Sequence, residues 1–417
     1  MIPPNPLKDE TRIFWNPTIV SLPYWSQNQY LLVSRIVTDG LHQQNVLCEA
    51  NICYTGSSEG RPIGEKACSK DDVSYLGAAG GMRCETELVV LSVPPTPAES
   101  CKGELGGYVD IPGFHDPRVF WSGKGEPLMM VNTQSRYACF GLWIIDLRTL
   151  HPPLSTLLAS TPNAPSLGPL MSYPTLTELT RNPSSDRSPL EKNWMLFFPG
   201  SDSYIHYEIS PRGGRTMAKV LGGGLTTTNL TDPFEIPCLF EKDEDSPNET
   251  GGRWHQATNS LRLILCERKE KSCVPNTENT VFFAAVHRKL PNSLKLPLRY
   301  ERYFVLWSAA PPFSMLGVSQ HPLLMSNETA TGFSPQENWD DDEALEGNRG
   351  NWASFTYTVG IAYAWGRKLD NPASKNTGYL DDEVVLGIGI DDKGQGVAVV
   401  TAMDLLQCLR ACPGRAS

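Results

Sequence analysis

The stretch Gly113-Phe114-His115-Asp116-Pro117-Arg118-Val119-Phe120 sets an acid and a guanidinium on either side of a proline whose φ is fixed. A carboxylate that can take or release a proton, beside a cation that can hold an anion or a hydroxyl, is equipment for general acid–base work on a polar substrate. The same residues would equally make an Asp-Pro turn opening a strand, with Arg118 in a surface ion pair. Other polar residues stand at the ends of apolar runs: Asn16 and Arg35, then Glu191, Lys192 and Asn193, then His287 and Arg288, then Asp381, Asp382 and Glu383. If those runs are strands that converge, their polar ends meet. Two carboxylate clusters, several cations, an amide and a histidine would then form a polyol site with acid–base capacity, with Trp194, Trp254 or Trp352 offered to sugar faces. The cations would hold a phosphate, a nucleotide diphosphate or a carboxylate. Taken singly, Lys192 reads as a surface lysine, His287 as a satisfied core histidine and Asp382 as a turn residue.

The elements that must position these groups are short strands. With 417 residues, 35 Gly and 34 Pro spread along the chain, many strands joined by turns are expected rather than long helices. Residues 16–35 read as a hairpin, and residues 118–146 as three strands separated by turns at 122–126 and 133–136. A surface loop is expected over 150–189. A second meander starts at Glu191, with Gly222 to Gly224 as a flexible turn. Strands follow over 259–267, 280–288, 300–308 and 315–318, and again over 352–365 and 383–390. Asp391-Asp392-Lys393-Gly394 is expected as a turn and 402–409 as a short helix. About five groups of three to four strands, with no helix beyond the last turn or two, fit an all-β, five-bladed β-propeller. One domain over 1–417 is expected, with a cysteine-rich insertion at about 39–105 and a closing segment at 402–417. A jelly roll or a pair of sandwiches would have the same strand count.

A net charge of −10 and the lack of a Lys/Arg-rich run argue against a nucleic-acid surface. Eleven cysteines, crowded at Cys48, Cys53, Cys68, Cys84 and Cys101 with Cys139 beyond, read as a disulfide framework with one thiol left over. No CxxC pair supports zinc, and no metal or cofactor is expected. Sequons at Asn229, Asn248 and Asn327 fit the same secretory compartment. The start, Met1-Ile-Pro-Pro-Asn-Pro, has neither region of a signal peptide, and no run of 18 apolar residues occurs, so a trimmed signal or anchor is expected.

The order Asn16-Pro17-x-Ile19-Val20, a strand ending at Arg35, Asp116-Pro117-Arg118, Glu191-Lys192-Asn193-Trp194, a strand ending at His287-Arg288, and Asp381 to Asp392 resembles the five-bladed β-propeller phosphorylases and hydrolases of β-mannosides. It also resembles the related eukaryotic β-1,2-mannosyltransferases, and the likeness runs over residues 14–400. The resemblance implies that Asp116 is the acid that protonates the glycosidic oxygen, directly or through a substrate hydroxyl. It implies that Arg118, Lys192 and Arg35 contact phosphate or sugar, that Asn193 and Asp382 hold hydroxyls, and that His287 lines the pocket. His255 and Asp381 are kept with them as substrate contacts, and Asp382, Asp381 and Glu191 are the candidates for a second carboxylate. The chain departs from the bacterial phosphorylases in having Phe114-His115 where they carry Gly-x-Glu, and Trp254-His255-Gln256-Ala257 where they carry His-Gly-Gly. A glycan substrate, with phosphate or a nucleotide sugar as co-substrate, is therefore the expected partner. The rival class is a glycan-binding propeller without chemistry, such as a lectin or attachment head. A sialidase is disfavoured because no Ser-x-Asp-x-Gly-x-Thr-Trp box occurs.

Overall fold

The computed structural model describes residues 13–37, 43–54, 66–67, 73–74, 80–94, 96, 100–108, 113–160, 170–210, 214–231, 238, 253–290, 299–325, 356–366, 375–390 and 394–412. These are mostly β: five sheets, none closed on itself. The first is built on Ile13–Ser21, Tyr30–Val37 and Gln43–Tyr54, and the second on His115–Trp121, Pro127–Gln134 and Phe140–Asp146. The third holds Met195–Phe197, Tyr204–Ser210 and Gly214–Lys219. The fourth runs through Leu261–Ile264, Thr280–Leu290, Arg299–Ser308 and Met315–Ser319, and Arg253–Gln256 pairs onto it. Thr356–Tyr363, Glu383–Ile390 and Gly394–Thr401 make the fifth.

Successive side chains of a strand point to opposite faces, so a strand buried on both faces reads as an unbroken apolar run. Pro127–Gln134 is such a strand: Met129 and Val131 join a cluster with Val20, Leu31 and Leu47 of the first sheet, while Leu128 and Met130 join one with Leu196 and Ile205 of the third. Thr280–Leu290 repeats the pattern, sending Phe282, Ala284 and Val286 toward Met195 and Phe197, and Phe283 and Ala285 toward Ile361 and Leu386. A further cluster packs Val385 and Val397 of the fifth sheet on Ile19, Tyr30 and Leu32 of the first. The apolar packing thus passes from sheet to sheet and returns to its start.

Three expectations are corrected. The stretch read as a cysteine-rich insertion contains the regular strand Gln43–Tyr54, which pairs with all of Tyr30–Val37; its polar and cysteine content hid the alternation. The stretch read as a surface loop carries a short helix, Pro153–Ala159, whose Leu154 and Leu158 are buried in the first core cluster, and another, Leu147–Leu150, leads into it. The closing segment forms Ala402–Leu406 and then Leu409–Ala411, a strand that pairs with Met315–Ser319 of the fourth sheet. Disulfides join Cys48 to Cys84, Cys101 to Cys139, Cys238 to Cys412 and Cys266 to Cys273, and Cys408 is a free thiol. Such bonds suggest an extracellular or secretory-pathway protein. No helix among the described residues is long and apolar enough to cross a membrane. Of the three sequons, Asn248 and Asn327 lie outside the described residues, and the Asn229 amide nitrogen donates to Asp186 at 2.6 Å.

The fifth sheet reaches the first only because two of its residues lack side chains. A Cβ on Gly387 would stand 2.2 Å from the Pro17 carbonyl oxygen, and one on Gly389 would stand 2.3 Å from Asn16 Oδ1. The first neighbour is backbone and cannot swing away. Gly387→Ala is therefore expected to destabilise the protein by about 1–3 kcal/mol, the usual range for overpacking, read as a lower denaturant midpoint at unchanged slope.

Candidate active site

Asn16, Asp116 and Asn193 are three of the four non-glycine residues with left-handed backbone among those described, at φ of 52°, 47° and 61°. Asp and Asn tolerate this region better than other side chains, and residues held there cluster at functional sites. In the first two sheets the cause is a register shift, between Trp15 and Thr18 and between His115 and Arg118. Each shift sits at an X-Pro pair, where the missing N–H releases the ladder and turns the preceding side chain out of the pleat. Thr18 locks the two strands together by accepting the Val119 N–H at 2.9 Å.

The turned-out side chains meet. Asp116 Oδ1 accepts from Arg35 Nη1 at 2.9 Å and from Asn16 Nδ2 at 3.0 Å, whereas Oδ2 has no protein partner among the described residues. The Asp116 side chain is 29% exposed and that of Arg35 only 8%, so the acid lies at an opening with its clamp behind it. Burial alone would raise the Asp116 pKa, but the charges of Arg35, Lys192, His115 and Arg118 outweigh it and hold the carboxyl below the usual carboxylate range. Because the folded pKa is depressed, the ionised group adds stability above the ordinary carboxylate pKa. That contribution is lost as the pH falls through the folded value.

Arg118 is buried, and both terminal nitrogens are engaged: Nη2 donates to Asn193 Oδ1 at 2.9 Å and to the Tyr357 hydroxyl at 3.3 Å, and Nη1 to the Trp194 carbonyl at 3.3 Å, while Nε is buried without an acceptor among the described residues. It therefore holds Asn193 and Tyr357 in place. Burial first, with Asp116 adding and Arg118 opposing, pushes the Tyr357 phenol up to about 12, so it stays protonated. His255 stacks on Tyr357 with centroids 5.9 Å apart, and Tyr300 meets Tyr357 edge-on at 5.1 Å; all three rings are partly exposed. His287 is buried behind them, 4.3 Å from Tyr357 and accepting the Thr358 N–H on Nε2 at 3.3 Å. Burial, then Arg302, His255 and Arg118, push its imidazole well below the ordinary range, so it is neutral with its proton on Nδ1. Lys192 is exposed over the Phe140 ring at 5.3 Å and close enough to act on Asp116.

The remaining candidates sit elsewhere. Asp382 pairs with Arg268 and accepts the Tyr379 N–H, and Asp381 accepts the Arg268 N–H at 2.7 Å. Gly389, the residue that packs on Asn16, is seven positions past Asp382, so both acids lie roughly 20 Å from the cluster, just before the other end of that strand. Asp391 and Asp392, beyond the end that meets Asn16, lie outside the described residues, as does Trp352. Glu191 is buried and accepts the Ser188 N–H at 3.2 Å. Trp194 is no open sugar platform: it is buried edge-on against Tyr207. Tyr300 and Tyr357 went unnoticed in the sequence, and Gln256, whose side-chain amide is buried without a partner, stood there only as part of a motif.

No protein-family model matches the chain, and no curated protein matches it. Among solved structures it is similar to a candidate glycoside hydrolase from Parabacteroides distasonis, at 11% identity over 93% of this chain and 86% of that one, with a TM-score of 0.47. It is also similar to β-1,2-mannobiose phosphorylase from Listeria innocua, at 10% identity over 95% and 93% with a TM-score of 0.44. The catalytic domain of an α-L-arabinofuranosidase from Coprinopsis cinerea follows at 10% identity over 95% and 93%, with a TM-score of 0.38. At these values the likeness carries no residue correspondence.

If Arg35 is what keeps Asp116 ionised, Arg35→Gln should raise the Asp116 midpoint in a ¹³C-carboxyl NMR titration. An unmoved midpoint would remove Arg35 from that role.

Proposed function

We propose that this chain is a carbohydrate-active enzyme that cleaves or transfers a glycosyl unit, mannose being the first sugar to try, on a five-bladed β-propeller whose inner strands present Asp116. The return of the apolar packing from the fifth sheet to the first supports the propeller. The observation that carries the activity is the asymmetry of Asp116: Oδ1 is clamped by Arg35 and Asn16 while Oδ2 is left to the opening. The oxygen left at the opening is the one a substrate hydroxyl could reach, while the clamped one fixes the orientation of the carboxylate.

The resting charge bears on direction. Depressed by its cations, Asp116 is ionised at neutral pH and suited to take a proton rather than give one. In glycosyl transfer, Oδ2 would accept the proton of an acceptor hydroxyl as that oxygen attacks the anomeric carbon and the donor's leaving group departs. Lys192, exposed and close enough to act on Asp116, is the cation that would steady a charged leaving group. In cleavage the same carboxyl must first be protonated and then deliver that proton to the glycosidic oxygen. Inverting hydrolysis also needs a second carboxylate about 6.5–9.5 Å away to activate water; among the described candidates Asp381 and Asp382 stand too far off, and Glu191 is buried. Because Asp116 rests ionised, transfer, or its phosphorolytic reverse, is the reading we favour over hydrolysis. His255, Tyr300 and Tyr357 would form the sugar-facing wall, with Asn193 as a hydroxyl-holding amide.

Asp116→Asn is expected to lower turnover about 10²–10⁴-fold while sugar binding persists. For the parent protein, kcat/KM for transfer should be flat near neutrality and fall as acidification protonates Asp116 below the usual carboxylate range. Full turnover in Asp116→Asn would sink the enzymatic reading and leave a glycan-binding module.

A further inference from the structure

The inner strands have a second end. Gly123 follows the strand that Asp116 opens, Phe198 lies five residues past Asn193, and Phe282 five residues before His287. At about 3.3 Å per residue, five residues carry the chain roughly 17 Å away from the Asp116 cluster. Two adjoining cavities open there, of about 190 and 270 Å³, and both are bounded by Gly200, Arg262 and Phe282.

Arg262 is the unusual member. Its backbone is held firmly, paired with Phe282 on one side and Thr377 on the other, and its carbonyl accepts the Tyr363 hydroxyl at 2.8 Å. Its guanidinium makes no hydrogen bond or ion pair with any described residue, and Nε is buried without an acceptor. The acid bordering the larger cavity, Asp202, is held by Lys219 Nζ at 2.8 Å. A partly desolvated guanidinium with empty donors is costly unless an anion fills them, and its planar fork suits a phosphate or carboxylate. In a chain of net charge −10, a cation left without an acid is not explained by a general excess of base.

The two cavities differ in character. Ser260, Asn376 and Thr377 border the smaller one, while Tyr204, Pro311 and Phe313 border the larger. We propose that together they form a second ligand site, remote from Asp116, that takes a phosphate monoester with a flat apolar body. The phosphate would sit on Arg262 in the smaller cavity, and the body would lie along Phe282 toward Tyr204 and Phe313.

Isothermal titration of the whole chain with inorganic phosphate, phenyl phosphate and phenol tests this. Phenyl phosphate should bind about tenfold or more tightly than inorganic phosphate, since the ester alone reaches the aromatic wall, and phenol should bind least. Arg262→Ala should weaken phenyl phosphate at least tenfold and Arg262→Lys severalfold, while Arg35→Gln leaves it unchanged. The proposal is overturned if phenyl phosphate fails to bind, binds Arg262→Lys and Arg262→Ala as it binds the parent, or is lost in Arg35→Gln. That last result would place the anion at the Asp116 cluster. Glycosyl transfer is read separately, so either proposal can fail without the other.

Discussion

Two donors on one oxygen hold the centre of this molecule together. Arg35 and Asn16 come from the two strands of the first hairpin, Asp116 comes from the second sheet, and the three meet on Asp116 Oδ1. The meeting requires Asn16 and Asp116 to take left-handed backbone just ahead of a proline, an arrangement disfavoured for most residues. It also requires Gly389 to leave room for the Asn16 amide. Sheet register, a missing side chain in the fifth sheet and the charge on one carboxylate therefore depend on one another. Altering any of them alters the oxygen that faces outward.

Much of this was legible from residue types. The hairpin over 16–35, the meander from 118 to 146 and the strand pair around 280–308 show in the sequence because each is a run of apolar residues bounded by turn formers. Asp116, Arg35, Lys192 and Asn193 were legible because polar residues at a strand's end are costly unless they are used. Direction was not legible. The segment from Asp381 to Asp392 carries an acidic pair at each end, and only the packing of Gly389 on Asn16 decides which end faces the cluster. Tyr357 escaped notice because a tyrosine in an alternating strand is ordinary until its neighbours are known. Arg118 was expected to touch substrate; it is buried and donates to Asn193 and Tyr357. The helices near 150 were missed because two turns bounded by prolines resemble a loop.

Strands apolar on both faces explain how so acidic a chain with so many turns keeps a continuous interior. Alternate residues of one strand enter two different clusters, so each sheet is fixed by both its neighbours rather than by a single core. Strands held this way run rigidly from one end to the other. At one end stand Asp116 and its aromatic wall, at the other Arg262 without an acid.

On the proposed function, Asp116 Oδ2 is the atom presented to a sugar. A crystal structure of the protein with a β-mannoside, mannobiose first, addresses it directly. A sugar hydroxyl or the glycosidic oxygen is expected within hydrogen-bond distance of Oδ2, with a pyranose ring against Tyr300, Tyr357 or His255. A sugar bound elsewhere, with Oδ2 facing only water, would contradict it.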